Sequence, residues 1–280
     1  MNAIELHDLT KAYPGFTLGP LNLALPSGCI LGLVGENGAG KSTTIKLILG
    51  LIHRDGGSIT LLGKDNRQDL HLIKEDIGVV LDEVGIPNCL TASQVGKVMA
   101  GTFSRWHQET YENLLDRLAI PRKKPFKEFS RGMKMKLGIA IALSHEAKLL
   151  ILDEATSGLD PVVRDEILDI FSEFTREESH AVLMSSHIVS DLEKLCDYIA
   201  FLHKGQLLLM EEKDRLLEEY GLVHCTQEAL SQLPEQAVKS KKTSAYGAEA
   251  LVLREFVPLD WHISPVSIEE LFLFMVKEAK

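Results

Sequence analysis

One stretch of this chain restricts its possible fold more than any other. An apolar segment at residues 29–34 and an apolar-patterned segment at residues 41–49 flank the complete pattern GxxxxGK[ST], which runs from Gly35 to Ser42. Glycines without a Cβ let successive backbone N–H groups point into one concavity, and a following helix adds partial positive charge at its N-terminus. The pattern therefore predicts a strand, a phosphate-binding loop and a helix within an α/β sheet.

The residues of this loop carry further chemistry. Lys41 supplies a full positive charge for the β and γ phosphates of a nucleotide, and the Ser42 hydroxyl is an oxygen donor suited to Mg²⁺. Asn37, Gly38 and Gly40 occupy the turn between the strand and the helix. The alternative interpretation is a tight strand-to-helix turn that matches the pattern by chance.

Composition and charge argue against some functions. The chain has 280 residues and a formal net charge of -10, so we expect no nucleic-acid partner bound through overall charge. Its 4 cysteines form no CxxC pair and its first residues are acidic, which predicts reduced thiols and a cytoplasmic location. No apolar run reaches the roughly 18 to 20 residues that span a bilayer, so we expect any membrane role to depend on another chain.

A second pair of candidate residues follows another predicted strand, at residues 148–152. Asp153 and Glu154 come directly after it, at the end of the strand where α/β sheets bind ligands. Asp153 is suited to hold Mg²⁺ through water, and Glu154 is suited to polarise a water for attack on the γ phosphate. Without a phosphate loop, two carboxylates in a solvated loop would be the simpler interpretation.

Three further candidates are weak when each is taken alone. Tyr13 can stack on a flat base or cover a sheet edge. Ser130 and Gly132 lie in the first turn of a predicted helix, whose N-terminus can meet an anion, although a serine N-cap is commonplace. His187 follows a predicted strand at 181–186, where a lone histidine is more often structural or exposed than catalytic.

The remaining patterns predict a P-loop sheet core with added segments. We expect a nucleotide-binding domain at residues 1–211, a helical subdomain within it at 83–138, and a small α+β C-terminal extension at 212–280. Ser267 and Glu270 form a predicted capping box. Further predicted strands span residues 3–9, 21–25, 58–62, 77–81, 198–202, 206–210 and 251–256. Predicted helices cover residues 70–74, 91–118, 129–143, 161–174, 188–195 and 267–280.

Together the motifs resemble those of an ATP-binding-cassette (ABC) ATPase. The resemblance covers residues 3–211 and rests on GENGAGKST, FSRGM, LLILDEATSGLDP and SSH, in that order. The second of these is similar to the family signature LSGGQ. The resemblance implies an α/β, P-loop NTPase fold with an antiparallel β subdomain and a helical insertion.

The same resemblance implies a role for each matching residue. Tyr13 would stack on adenine, Glu154 would be the general base, and His187 would contact the γ phosphate and the attacking water. Ser130 and Gly132 would bind the γ phosphate of ATP held by a second ABC ATPase subunit, so the active unit would be a head-to-tail dimer, either a homodimer or a heterodimer. The residues that would hold phosphates or Mg²⁺ are Asn37, Gly38, Gly40, Lys41, Ser42, Thr43, Asp82 and Asp153.

Two motifs depart from the family pattern. Where the family has glutamine behind a short strand, this chain has Asp82 followed by Glu83, and the shorter acceptor would reach a metal through water. In the signature, Phe129, Arg131 and Met133 replace leucine, glycine and glutamine. The serine and the second glycine, which would make the phosphate contacts, remain.

The chain resembles the separate ATPase subunit of a bacterial exporter encoded by two genes. Its tail at residues 267–276, SIEELFLFMV, resembles the closing helix of ATPases linked to efflux of drugs, antimicrobial peptides or toxic peptides. A transmembrane permease would then be its partner and would place it on the inner face of the cell membrane. The alternatives are a soluble ABC ATPase that works without a permease and a P-loop kinase or GTPase, which the signature and the histidine disfavour.

Overall fold

The computed structural model of this protein describes residues 1–69, 73–82, 84–244 and 247–278. Its described strands form three sheets. The strands are β1 (Asn2–Tyr13), β2 (Phe16–Pro26), β3 (Ile30–Gly35), β4 (Gly56–Leu61), β5 (Lys64–Asp65), β6 (Ile77–Val80), β7 (Leu149–Asp153), β8 (Ala181–Ser185), β9 (Tyr198–His203), β10 (Gln206–Glu212), β11 (Tyr220–Cys225), β12 (Val238–Ser244) and β13 (Gly247–Leu253). The α-helices are α1 (Lys41–Ile48), α2 (Ala92–Ala100), α3 (Gln108–Arg117), α4 (Arg131–Ala142), α5 (Pro161–Phe174), α6 (Val189–Leu195), α7 (Lys213–Glu219), α8 (Gln227–Leu230) and α9 (Ile268–Glu278).

The core sheet has the strand order β10-β9-β3-β8-β7-β6. Its strands are parallel except β10, which forms an antiparallel hairpin with β9 at one edge. All residues of β3, β7 and β8 are buried, because helices cover one face and the N-terminal sheet packs on the other. Burial on both faces explains why these strands are continuous apolar runs in the sequence. The parallel arrangement brings the ends of β3, β7 and β8 to one edge.

The N-terminal sheet is antiparallel and has the order β2-β1-β4-β5. β1 and β2 meet at a turn over Pro14 and Gly15, where Gly15 has φ +81°. The strands predicted at 3–9 and 21–25 are confirmed and are longer at both ends, whereas the strand predicted at 58–62 begins earlier, at Gly56, and ends at Leu61. The predicted helix at 70–74 lies largely outside the described residues, and Lys74 begins a 3-10 turn that ends at Asp76.

The segment between the neighbouring strands β6 and β7 is mainly helical. The pattern at 91–118 forms two helices rather than one, because the chain leaves α2 at Gly101 and turns back into α3. Tyr111 of α3 is fully buried, and its hydroxyl donates to the carbonyl of Ala92, 2.9 Å away. A Cβ added at Gly96 would lie 2.6 Å from the Tyr111 ring, so glycine permits this close packing.

The C-terminal segment forms a third, antiparallel sheet with the order β11-β13-β12. Its last helix, α9, packs on the core sheet, where the ring of Phe272 lies 5.4 Å from that of Phe201 on β9. The predicted strand at 251–256 ends at Leu253, because residues 254–256 form a 3-10 turn.

These observations confirm the predicted fold class, an α/β P-loop core with an antiparallel subdomain, a helical insertion and a small α+β extension. No helix within the described ranges is long and apolar enough to cross a bilayer.

Candidate functional site

The glycine-rich loop connects β3 to α1 in a conformation that requires glycine. Gly38 has φ +83° and Gly40 has φ +110°, in the left-handed region that favours a residue without a Cβ. A Cβ added at Gly40 would lie 2.5 Å from Leu18 Cδ1. The loop leads directly into α1, which begins at Lys41, so the helix N-terminus faces the same space as the loop.

A cavity of about 820 Å³ opens in front of this loop, a volume suited to a nucleotide. We call it the phosphate-loop cavity. It is lined by Phe16, Glu36, Asn37, Gly38, Gly40, Lys41, Ser42, Thr43, Asp82, Arg131, Glu154, Ser157 and His187. The cavity thus brings together residues from β2, the phosphate loop, the start of α4 and the chain after β6, β7 and β8. The sequence predicts that the phosphate loop meets the ends of these three strands.

Lys41 is buried at the base of the cavity, with only 6% of its surface exposed. Its Nζ donates to the carbonyl oxygens of Gly35 at 2.6 Å and Glu36 at 3.3 Å, so the loop holds the ammonium in place. Burial lowers the pKa of Lys41, and the negative charges of Glu154 and Asp153 act in the opposite direction. Lys41 is therefore a buried cation prepared to meet phosphate.

Asp153 ends β7 and is 5% exposed. Its Oδ1 accepts a hydrogen bond from the hydroxyl of Ser185 at 2.6 Å, and Ser185 is its register partner on β8. The backbone N–H of Glu154 donates to the Ser185 carbonyl at 3.1 Å. Sequence reasoning did not select Ser185, although it lies at the end of a buried strand, two residues before His187.

Glu154 adopts φ +56°, an uncommon conformation for a residue with a side chain, and such strain is found at functional sites. Its Oε2 contacts Nδ1 of His187 and accepts a hydrogen bond from the His187 backbone N–H at 3.4 Å. The histidine side chain is mostly exposed to the cavity, whereas the carboxylate is mostly buried. The pair can therefore orient a water molecule that enters the cavity.

The donors around Lys41 suit magnesium that is bound together with a phosphate. Among the described residues, no cluster of three or more His, Cys, Asp and Glu could hold a metal without further ligands. Ser42, Asp82 and Asp153 nevertheless offer oxygen atoms, the ligands that Mg²⁺ prefers. Mg²⁺ commonly takes one or two carboxylates and completes its shell with phosphate oxygens and water, so the residues fit this ion. Glu83 lies outside the described residues.

Two aromatic residues lie near the entrance of the cavity. Tyr13 is 41% exposed, with Nζ of Lys11 5.5 Å from its ring centroid, and it is not among the residues that line the cavity. Phe16 does line the cavity, and it pairs with Tyr13 across the turn between β1 and β2. Sequence reasoning did not select Phe16, although the turn places it beside Tyr13.

Two residues of the signature-like turn, Ser130 and Gly132, lie outside the phosphate-loop cavity, whereas Arg131 between them lines it. Ser130 is exposed and caps α4, its Oγ accepting from the Met133 backbone N–H at 3.2 Å. Gly132 lies against the loop after Glu154, because a Cβ added there would be 3.3 Å from Leu159 Cδ2. Ser130 and Gly132 are not among the residues lining the phosphate-loop cavity.

Comparison with known proteins places these features in a family. The family model described as ABC transporter matches residues 18–157. The lantibiotic transport ATP-binding protein SrtF of Streptococcus pyogenes is 38% identical over 215 residues, covering 75% of this chain and 91% of that protein. The bacitracin transport ATP-binding protein BcrA of Enterococcus faecalis is 35% identical over 208 residues, covering 73% of this chain and 68% of that protein. A solved ATP-binding subunit of an ABC transporter is 28% identical with a TM-score of 0.70, covering 76% of this chain and 91% of that one.

Proposed function

This chain belongs to the ABC transporter family of ATP-binding proteins, and from that premise we propose how its residues drive export. It is an ATPase and the motor subunit of an export-type transporter, which confirms the family and activity expected from its motifs. One observation carries the proposal. The phosphate loop and the signature-like turn are both suited to bind phosphate, yet Ser130 and Gly132 do not line the phosphate-loop cavity of their own chain, although Arg131 between them does.

We assign the chemistry to residues around the phosphate-loop cavity. Lys41 and the loop N–H groups hold the β and γ phosphates of ATP, with the adenine stacked on Tyr13. Glu154 takes a proton from a water molecule while the water oxygen attacks the γ phosphorus. The bond from that phosphorus to the β-γ bridging oxygen breaks, which gives ADP and phosphate. His187 orients the Glu154 carboxylate through the observed contact and reaches the γ phosphate.

Bound Mg²⁺ would neutralise phosphate charge as it develops during transfer. Ser42 would hold the ion, and Asp82 and Asp153 would reach it through water. The hydrogen bond from Ser185 fixes the Asp153 carboxylate for this role. Asn37, Gly38, Gly40 and Thr43 complete the phosphate site from the loop and the first turn of α1.

Two subunits close on ATP in a head-to-tail dimer. Ser130 and Gly132 of each subunit bind the γ phosphate held by the other subunit, so ATP stabilises the closed state and hydrolysis reopens it. A transmembrane permease transmits this movement and places the motor on the inner face of the cell membrane. The relatives named for lantibiotic and bacitracin transport support an antimicrobial peptide or a drug as cargo.

The dimer is tested in a hydrolysis-deficient background. We expect the Glu154→Gln protein to elute as a monomer without nucleotide and as a dimer with Mg²⁺ and ATP, measured by size exclusion with light scattering. Ser130→Arg in this background places a bulky side chain at the proposed dimer interface. It should abolish the dimer while each monomer still binds ATP. Ser130→Thr is the matched control, because it keeps the hydroxyl and the helix cap. A Ser130→Arg variant that dimerises with ATP would contradict the proposed dimer interface.

The permease is tested by copurification from the native membrane. We expect a small hydrophobic membrane protein to accompany the motor after mild detergent extraction. Ribosomes or DNA in its place would instead support a soluble ABC ATPase that works without a permease.

A further inference from the structure

The two departures from the family motifs contact each other. Arg131 is the first residue of α4, and Asp82 lies in the segment after β6, 49 residues earlier. Their side chains form an ion pair between Nη2 of Arg131 and Oδ1 of Asp82. The pair therefore joins the helix that carries the signature-like turn to the edge strand of the core sheet. Asp82 and Arg131 belong to different motifs in the sequence, but in the fold they form one interaction.

The Arg131–Asp82 pair lies at the boundary of the phosphate-loop cavity. Both residues line that cavity and also a smaller one of about 360 Å³ next to it. Arg131 and Lys41 are the only lysine or arginine side chains among the described residues that line the phosphate-loop cavity. Asp82 is thus the carboxylate that holds an additional cation at the edge of the nucleotide site.

The stem of Arg131 lies beside a third segment. A Cβ added at Gly158 would lie 3.4 Å from Arg131 Cδ, and Gly158 has φ +74°. The loop after Glu154 therefore passes beside the arginine stem, and the left-handed φ of residue 158 favours glycine. Arg131 thus lies next to both Asp82 and this loop.

We propose that the Arg131–Asp82 pair is a latch that positions the first turn of α4 in the nucleotide-free subunit and opens when Mg²⁺-nucleotide binds. This inference rests on the proposed function, in which Asp82 serves Mg²⁺. Arg131 occupies Oδ1 of Asp82 and neutralises the carboxylate charge, so the guanidinium and a metal ion compete for Asp82 whether the ion binds it directly or through water. Arg131 is a positioning residue, since it holds Asp82 and the turn containing Ser130.

If the pair acts as this latch, removing it should strengthen nucleotide binding. An interaction that is present only in the nucleotide-free state opposes binding, so its removal favours the bound state. Arg131→Gln should therefore tighten Mg²⁺-ADP binding about two- to five-fold, the range expected for an exposed ion pair. An arginine that simply bound phosphate would show the opposite change.

A double-mutant cycle tests this with the full chain. The dissociation constant of ADP is measured by calorimetry for wild type, Arg131→Gln, Asp82→Asn and the double variant, each with Mg²⁺ and with EDTA. We expect the tightening by Arg131→Gln with Mg²⁺ in the wild-type background only, and no difference between wild type and Arg131→Gln in EDTA. Lys134→Gln is the matched control, because it removes a positive charge from the same helix at a residue that lines only the smaller cavity.

The outcomes separate the latch from the proposed function. Weaker Mg²⁺-ADP binding by Arg131→Gln, or an equal effect in both Asp82 backgrounds, would overturn the latch. Tightening by Lys134→Gln to the same extent would also overturn it, because the effect would then come from overall charge. Failure of the wild-type chain to bind ADP would instead overturn the proposed nucleotide site.

Discussion

The Glu154 carboxylate and the His187 imidazole contact each other at the ends of two adjacent strands, β7 and β8. Oε2 of Glu154 also accepts from the backbone N–H of His187 at 3.4 Å, so the carboxylate is held from two directions. The left-handed backbone at Glu154 turns its side chain into the cavity that Lys41 also lines. This geometry suits a general base whose orientation is set before substrate enters.

We expect Glu154→Gln to lower kcat for ATP hydrolysis about 10²- to 10⁴-fold, because positioned general-base catalysis contributes about that much. Glutamine keeps the shape of the side chain, so the dissociation constant of ATP should change little. Steady-state phosphate release and equilibrium binding measure the two quantities separately. Glu166→Gln is the control, since Glu166 lies on α5 and does not line the cavity. Near-normal turnover of Glu154→Gln would refute the base assignment.

Lys41 gives nucleotide binding a pH dependence. Burial lowers the pKa of its ammonium in the free protein, and phosphate binds the charged form. Affinity for ADP should therefore fall as pH rises through this lowered pKa, at a lower pH than for an ordinary lysine. Lys41→Met should bind about ten- to a hundred-fold more weakly, from the loss of charged hydrogen bonds, and should lose this pH dependence. Calorimetric titrations from neutral to alkaline pH measure both effects.

The matched control for this prediction is Lys46→Met. Lys46 lies on the same helix α1 but is exposed and does not line the cavity, so its removal should leave both affinity and pH profile unchanged. Unchanged ADP affinity in Lys41→Met would count against the phosphate-loop assignment.

Local rules predicted much of this fold. The buried parallel strands β3, β7 and β8 are continuous apolar runs, and the glycine-rich loop has a fixed spacing from Lys41. The predicted capping box is also present, because the Glu270 N–H donates to Ser267 Oγ at 3.2 Å and Glu270 Oε2 accepts from the Ser267 N–H at 3.0 Å. Each of these features is determined by neighbours within a few residues in the sequence.

The features that sequence analysis missed depend on distant contacts. Ser185 hydrogen-bonds to Asp153 across two strands, and Arg131 reaches Asp82 from another element. The turn between α2 and α3 brings Tyr111 against Gly96, a contact between two elements. Periodicity does not contain such information, because it describes one element at a time. The proposed boundaries of the helical subdomain at 83–138 and of the C-terminal extension at 212–280 remain predictions, because they also depend on contacts between elements.

Adenine stacking distinguishes two neighbouring aromatic residues. Tyr13→Ala should weaken ATP binding by roughly ten-fold, since a base stacked on an aromatic ring is stabilised by about 1–3 kcal/mol. Affinity for inorganic tripolyphosphate, which has no base, should not change in the same variant. Phe16→Ala supplies the comparison, because Phe16 lines the cavity. A loss confined to Phe16→Ala would move the stacking role from Tyr13 to Phe16.

The capping box of α9 links stability of the C-terminal segment to pH. Glu270 accepts hydrogen bonds from the backbone N–H and the hydroxyl of Ser267, at 3.0 and 2.8 Å, and these bonds lower the pKa of its carboxyl group. A carboxyl whose pKa is lower in the folded state stabilises the fold above its unfolded pKa, and this contribution is lost as pH falls through the folded pKa.

We therefore expect Glu270→Gln to reduce the free energy of unfolding at neutral pH, with the difference from wild type shrinking as pH falls through the lowered pKa of Glu270. Ser267→Ala should cost about 1 kcal/mol, because it also removes the hydroxyl that accepts from the Glu270 N–H at 3.2 Å. Denaturant unfolding of both variants at several pH values, with Glu269→Gln as the control from the same first turn, measures these effects. A difference between Glu270→Gln and wild type that stays constant from neutral to acidic pH would mean that the capping carboxylate does not carry the stabilisation.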